Sequence, residues 1–152
     1  MKKVLLIFML LPSLLSCANK SGATMSFFSA TAPVHAFLQD DLFYGEAVGY
    51  LDRTGTINVT SALDPETKCI GEFRYIGTKT GVGTLTCNDG QIANIQFQAL
   101  SSLSGYGYGR TSKGPVSFTF GLTADEAKAY LKMPKGKTIA KTKDNKVKLV
   151  DL

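Results

Sequence analysis

Few side chains in this chain have the types and spacing that chemistry needs. His35 is the only histidine and lies in "TAPVHAFLQDDLFY", a stretch ambiguous between a helical turn and a first strand, so a structural or exposed role is expected. No Gly-x-Ser-x-Gly elbow presents a serine on a strand-to-helix turn. Asp40-Asp41 and Asp89 lack the spacing of a calcium loop. Glu46, Asp52, Glu72 and Asp89 could form a catalytic carboxylate pair only if the fold assembled them, which leaves a cell-wall or glycan hydrolase as the enzymatic alternative. "GYGYGRTSKG" (105–114) has the composition of a phosphate loop, but such a loop lies between a strand and a helix whose amides hold the anion. Here "PVSFTF" follows as a strand, and bare backbone packed under aromatic rings accounts for the glycines. Tyr106 and Tyr108 then share the opposite face, either as core or as a platform for a glycan ring or a protein. With one distant histidine and no Cys-x-x-Cys, neither a metal nor another cofactor is expected.

The first cysteine has a different chemistry, set by what precedes it. Lys2 and Lys3 form a basic head, and Val4 to Leu15 is an apolar run interrupted only by Pro12 and Ser13. It is shorter than the roughly twenty residues that span a bilayer, and the pattern is that of a secretory signal. The run ends in Leu14-Leu15-Ser16-Cys17, which resembles the lipobox of bacterial lipoprotein precursors. The resemblance implies a thioether-linked diacylglycerol on Cys17, cleavage just before it, and usually a third acyl chain on the new amine. Each buried methylene adds about 0.8 kcal/mol, so such an anchor holds a protein to its membrane almost permanently. Residues 1–16 are thus expected to be the signal peptide and 17–30 a lipidated tether. In a Gram-negative cell, Ala18 implies the outer membrane, facing the periplasm or the cell surface.

The other two cysteines are an even pair in an exported chain, and Cys69 and Cys87 are expected to form a disulfide. Three segments share one pattern, the second ending at Cys87: "GEAVGYLDRTGTINVTS" from 45, "GEFRYIGTKTGVGTLTC" from 71 and "GYGYGRTSKGPVSFTFG" from 105. Each alternates, turns through a polar glycine-containing cluster and returns rich in Thr and branched or aromatic residues, as a β-hairpin does. If Cys69 faces Cys87, then Gly71 faces Leu85, Phe73 faces Gly83 and Tyr75 faces Gly81, which puts sulfurs, rings and Leu85 on one face. A three-residue turn, Asn88-Asp89-Gly90 with Gly90 left-handed, then sets Leu85 opposite Ala93, Gly83 opposite Ile95 and Gly81 opposite Phe97. A four-residue turn, Thr111 to Gly114, pairs Gly105 with Phe120, Gly107 with Phe118 and Gly109 with Val116.

After the strands, Thr123 and Glu126 make a capping box, and a short C-terminal helix is expected over 124–132, stopped by Pro134 and Gly136. "KVKLVDL" is suited to a last edge strand. The fold class is therefore mainly β: a small antiparallel meander of hairpins, barrel or sandwich, with that one helix. Residues 31–133 form the β domain and 134–152 a basic C-terminal segment. Without sixteen leader residues, 136 remain, enough for one domain with a modest core.

The net charge of +5 falls to +3 once Lys2 and Lys3 are removed. Residues 18–127 carry seven basic against ten acidic side chains, whereas 128–152 carry eight lysines against Asp144 and Asp151. Such a segment is either a solvated face or a contact for an anionic surface. Nucleic acid is a poor partner for an exported, anchored protein.

Cys69–Phe73, Gly81–Gly90 and Phe118–Gly121 are also similar to small uncharacterised exported bacterial proteins with a Cys-x-Gly-x-Phe strand, a Gly-x-Gly-Thr-Leu-x-Cys-x-Asp-Gly return and a closing Phe-Thr-Phe-Gly. That resemblance implies no activity. The expectation from sequence is a lipid-anchored, non-catalytic envelope module that binds a protein or an anionic envelope polymer. Its candidate contacts are Tyr106, Tyr108, Lys135, Lys137, Lys141 and Lys143. A purely structural lipoprotein is the other alternative.

Overall fold

The computed structural model describes residues 22–144 and 146–152; Cys17 and the leader lie outside them. In chain order the strands are β1 (Thr24–Met25), β2 (Ser29–Leu38), β3 (Asp41–Tyr50), β4 (Thr54–Ser61), β5 (Lys68–Tyr75), β6 (Thr80–Cys87), β7 (Ile92–Ala99), β8 (Gly105–Arg110) and β9 (Pro115–Phe120). They are followed by α1 (Ala124–Ala127), β10 (Lys137–Lys141) and β11 (Val147–Asp151). Each strand from β2 to β9 pairs antiparallel with the next, and β9 returns to β2 with Val34 opposite Phe120 and Leu38 opposite Val116. The result is a closed eight-stranded barrel, which leaves no free edge around its circumference.

All three expected registers are present. Cys69 pairs with Cys87 and Phe73 with Gly83, Leu85 with Ala93 and Gly81 with Phe97, and Gly107 with Phe118. Gly90 has φ +86°, as the three-residue turn requires, and the disulfide joins the paired cysteines. Eight strands leave an interior just wide enough to be filled by side chains or to hold one small ligand. Val59, Cys69, Leu85, Ala93, Ile95 and Val116 fill the disulfide end, each nearly fully buried.

Three boundaries differ from the sequence expectation. The tether ends earlier than residue 30: Ala23 is buried, β1 pairs Met25 with Ala30, and β2 already begins at Ser29. The helix is one turn, not the span 124–132. Its capping box is intact, with the Glu126 carboxylate accepting from the Thr123 amide and the Thr123 hydroxyl accepting from the Glu126 amide. Beyond it the chain is drawn onto the barrel instead, because the Ser117 hydroxyl takes the Lys132 amide at 2.9 Å and Tyr130 stacks on Tyr106. "KVKLVDL" does form a strand, but it pairs with β10 in a separate two-stranded sheet and with no strand of the barrel.

α1 and the β10–β11 hairpin cover a second core. Phe37 and Leu42 point outward from β2 and β3 and meet Leu122, Ala127, Leu131, Ile139 and Val147. Beside this core lie two polar groups: His35 on β2 and Thr119 on β9 are register partners, both buried. Neither the His35 Nδ1 nor the Thr119 hydroxyl has a hydrogen-bond partner among the described residues.

Burial, and then the charge of Lys141 on β10, hold the His35 imidazole below its usual range. Its other register neighbour is Tyr44 on β3. The unfolded chain therefore takes up the proton first on acidification, and stability falls as pH drops below the ordinary value of 6.5 toward the folded value. Urea midpoints between neutral and mildly acidic pH are expected to show this loss, and His35→Leu should flatten the slope. An unchanged slope in the variant would place the acid sensitivity elsewhere. Asp41 acts with the opposite sign, since burial raises its pKa and its contribution to stability fades as pH rises through the folded value.

Candidate functional site

The two ends of the barrel are built differently. At the disulfide end the loops are polar and tied down. The Asn88 side chain donates to the Glu66 carbonyl at 2.7 Å and accepts from the Lys68 amide at 3.0 Å. Lys113 pairs with Asp89 at 3.6 Å, and the Ser61 hydroxyl donates to Asp41 at 2.5 Å. These bonds and the buried disulfide close that end.

The other end is an apolar mouth. Alternation in β5, β7 and β9 sends Phe73, Tyr75, Phe97, Phe118 and Phe120 inward. Four of the rings meet edge to face: Phe97 lies 5.7 Å from Phe73, 5.0 Å from Tyr75 and 5.8 Å from Phe120, near the favoured T-shaped geometry. On the opposing side β2 and β3 send in Ala30, Ala32, Val34, Ala47 and Gly49. Small residues facing large ones leave a cavity of about 190 Å³, open at the mouth and lined by no charged side chain. A broader, shallow depression of about 710 Å³ crosses β4 to β7, past the exposed Glu72, Arg74 and Gln96. Its open, polar lining offers less to a ligand than the enclosed mouth.

Arg53 fastens the rim. It sits in the β3–β4 turn with φ +68°, a conformation that costs a non-glycine residue roughly 1–2 kcal/mol. Its guanidinium donates to the carbonyls of Gly77 and Thr78 in the β5–β6 turn and lies 5.1 Å from the centre of the Tyr75 ring. One cation thus joins two mouth loops to the aromatic lining. Burial raises the Tyr75 hydroxyl's pKa, with Arg53 opposing it, so the phenol stays neutral and can serve a ligand as donor or acceptor.

The residues picked from sequence lie elsewhere. Tyr106 and Tyr108 are on the outer wall and seat the chain after α1. Tyr106 stacks on Tyr130 at 4.6 Å, the Tyr108 hydroxyl donates to the Tyr130 carbonyl at 3.3 Å, and Lys132 lies over the Tyr108 ring at 5.0 Å. The lysines are spread over the C-terminal hairpin. Lys137 pairs with Asp151, whereas Lys135, Lys141 and Lys143 are exposed. Cys17 lies outside the described residues, and Cys69 and Cys87 form the disulfide. The four carboxylates stay apart and exposed: Asp52 and Asp89 in turns at opposite ends, Glu46 and Glu72 on the outer wall. Among the described residues no group of three or more His, Cys, Asp or Glu is placed to hold a metal.

Sequence reasoning paired the rings with glycines but missed the cavity. The available signal was the small inward set of β2 and β3 set against the ring-bearing strands, a contrast visible only once β2 was placed beside β9. No protein-family model, curated protein or solved structure matches this chain.

Proposed function

We propose that the protein is a non-catalytic binding module of the bacterial cell envelope, held to a membrane through lipid on Cys17, which takes an apolar ligand into the mouth of its barrel. The observation that carries the binding site is the uncharged cavity of about 190 Å³, walled by aromatic rings and open at one end. A dry cavity of about 150 Å³ holds one benzene ring, so this one suits a single ring or an aliphatic tail of about seven or eight carbons. The envelope address rests on the lipobox-like Leu14-Leu15-Ser16-Cys17. The scattered carboxylates favour a binder over a glycan hydrolase. The exposed Lys135, Lys141 and Lys143 support a secondary contact with an anionic envelope polymer on the C-terminal hairpin.

Calorimetric titration with primary alkanols tests the cavity. Each methylene buried is worth about 0.8 kcal/mol, so Kd is expected to fall roughly fourfold per added carbon. The gain should cease once the chain reaches about seven or eight carbons and the space is full. Ala47→Phe, or the milder Ala47→Leu, should abolish the binding with the circular dichroism spectrum unchanged. Alkanols that bind with no dependence on chain length, or equally well to both variants, would remove the cavity from the proposal. A protein that binds none of them would point to a purely structural lipoprotein.

A further inference from the structure

The chemistry of the barrel's surface changes from end to end as sharply as its interior. Each hairpin turn at the mouth carries an exposed aliphatic side chain: Leu51 in the β3–β4 turn (75 % exposed), Ile76 in the β5–β6 turn and Leu100 in the β7–β8 turn. The chain between β1 and β2 adds Phe27 (94 % exposed) and Phe28, with Met25 and Tyr50 beside them. At the opposite end the turns expose one large apolar side chain, Leu63, with Ile70 and Ile92 exposed on the strands beside them. Charge follows the same axis. The mouth turns hold Asp52 against Arg53 and Lys79, net positive. The opposite turns hold Asp40, Asp64, Glu66 and Asp89 against Lys113, net negative.

The barrel wall excludes burial along its length. Thr56, Asn58, Glu72, Arg74, Thr84 and Gln96 stand exposed on β4 to β7 and leave only Ile70 and Ile92 as exposed large apolar side chains there, where a membrane-spanning barrel would carry a continuous apolar band. Any contact with lipid is confined to an end, and only the mouth has apolar tips beside cations. That combination fits the interface of a bilayer with anionic headgroups.

We infer that the mouth rim is a membrane-docking surface: Met25, Phe27, Phe28, Leu51, Ile76 and Leu100 enter the headgroup–acyl boundary of the bilayer. The cavity then opens onto the acyl chains, which become its source of apolar ligand; that last step rests on the cavity reading above, whereas the docking does not. The covalent geometry allows it. Gly22, the first described residue, lies against Pro33, four positions along β2 from its rim end at Ser29. Four strand residues measure about 13 Å. The five residues from Cys17 to Gly22 reach up to about 18 Å, enough for a lipid on Cys17 and the rim to occupy one membrane surface.

The sequence contains no tryptophan, which makes the inference directly readable. Phe28→Trp, Leu51→Trp and Leu63→Trp each place one fluorophore on an exposed site. The full-length protein carrying each substitution would be reconstituted into vesicles of phosphatidylethanolamine and phosphatidylglycerol, with and without brominated acyl chains. Blue-shifted emission quenched by the bromines is expected for Phe28→Trp and Leu51→Trp, and unshifted, unquenched emission for Leu63→Trp. Equal quenching at all three sites, or none at the rim, would overturn the docking. The Leu51→Trp chain with Cys17→Ala, expressed without residues 1–16, separates rim from anchor: the bound fraction should fall while the quenching of what remains bound persists. Loss of quenching in that bound fraction would mean that the lipid alone made the contact. The alkanol titration reads the cavity independently, so failure of the rim and failure of the cavity give different results.

Discussion

Gly71→Ala is expected to destabilise the barrel by about 3 kcal/mol or more, at or beyond the upper end of the usual range for overpacking. A β-carbon at Gly71 would lie 2.1 Å from the carbonyl oxygen of Thr84 and 2.9 Å from the Cα of Leu85. Both are backbone atoms of the paired strand β6, so no side-chain rotation can relieve the clash. The strands must separate, which weakens ladder hydrogen bonds and shifts Leu85 in the core. Gly45 is the corresponding point between β3 and β4, with the Asn58 carbonyl at 2.0 Å, and Gly45→Ala should behave alike. The control is Gly90→Ala. Nothing lies within 4 Å of its added carbon, and only the left-handed backbone at φ +86° opposes it, at roughly 1–2 kcal/mol. Urea unfolding with a common m-value orders the three variants. A Gly71→Ala protein as stable as Gly90→Ala would show that β5 and β6 do not approach this closely.

Loss of the disulfide is expected to rank next. Cys69→Ala combined with Cys87→Ala frees a connection across 18 residues of sequence separation, worth about 3 kcal/mol by loop closure. Both sulfurs are also buried, Cys69 fully, so their removal leaves unfilled space in the core. For a domain of this size the combined loss corresponds to a fall in melting temperature of about 10 °C. Reduction of the native protein should give a comparable shift, and no thiol at residues 69 and 87 should react in the folded, oxidised protein. A melting point unmoved by either treatment would mean that the bridge contributes nothing to folding. The two variants probe different things: the glycine tests how closely two strands meet, the cysteines how much freedom the unfolded chain has.

Much of the barrel was legible in the residues because hairpins are local. The alternation of Cys69, Gly71, Phe73 and Tyr75 states which side chains share a face, and the turn "CNDGQ" selects the register that keeps apolar groups together. Likewise Thr123 and Glu126 announce a helix start three residues apart. The helix end is not legible locally, because its determinant, the Ser117 hydroxyl on the Lys132 amide, comes from a strand fifteen residues earlier. The end of the tether is hidden for a related reason: β9 pairs with β2 only from Val34 to Leu38, and Met25 pairs with Ala30 on the stretch of β2 that β9 does not reach.

The registers of β5 with β6, β6 with β7 and β8 with β9, the disulfide and the helix cap can all be read from the residues alone. Each of these depends on side chains joined by a short turn, whose geometry leaves few alternatives. Tertiary structure alone decided that the meander closes, that Phe37 and Leu42 found a second core outside the barrel, and that the mouth is hollow and apolar-rimmed. Closure depends on the accumulated twist and stagger of all eight strands. The cavity depends on a mismatch in size between alanines of β2 and β3 and rings of β5, β7 and β9, which no turn connects.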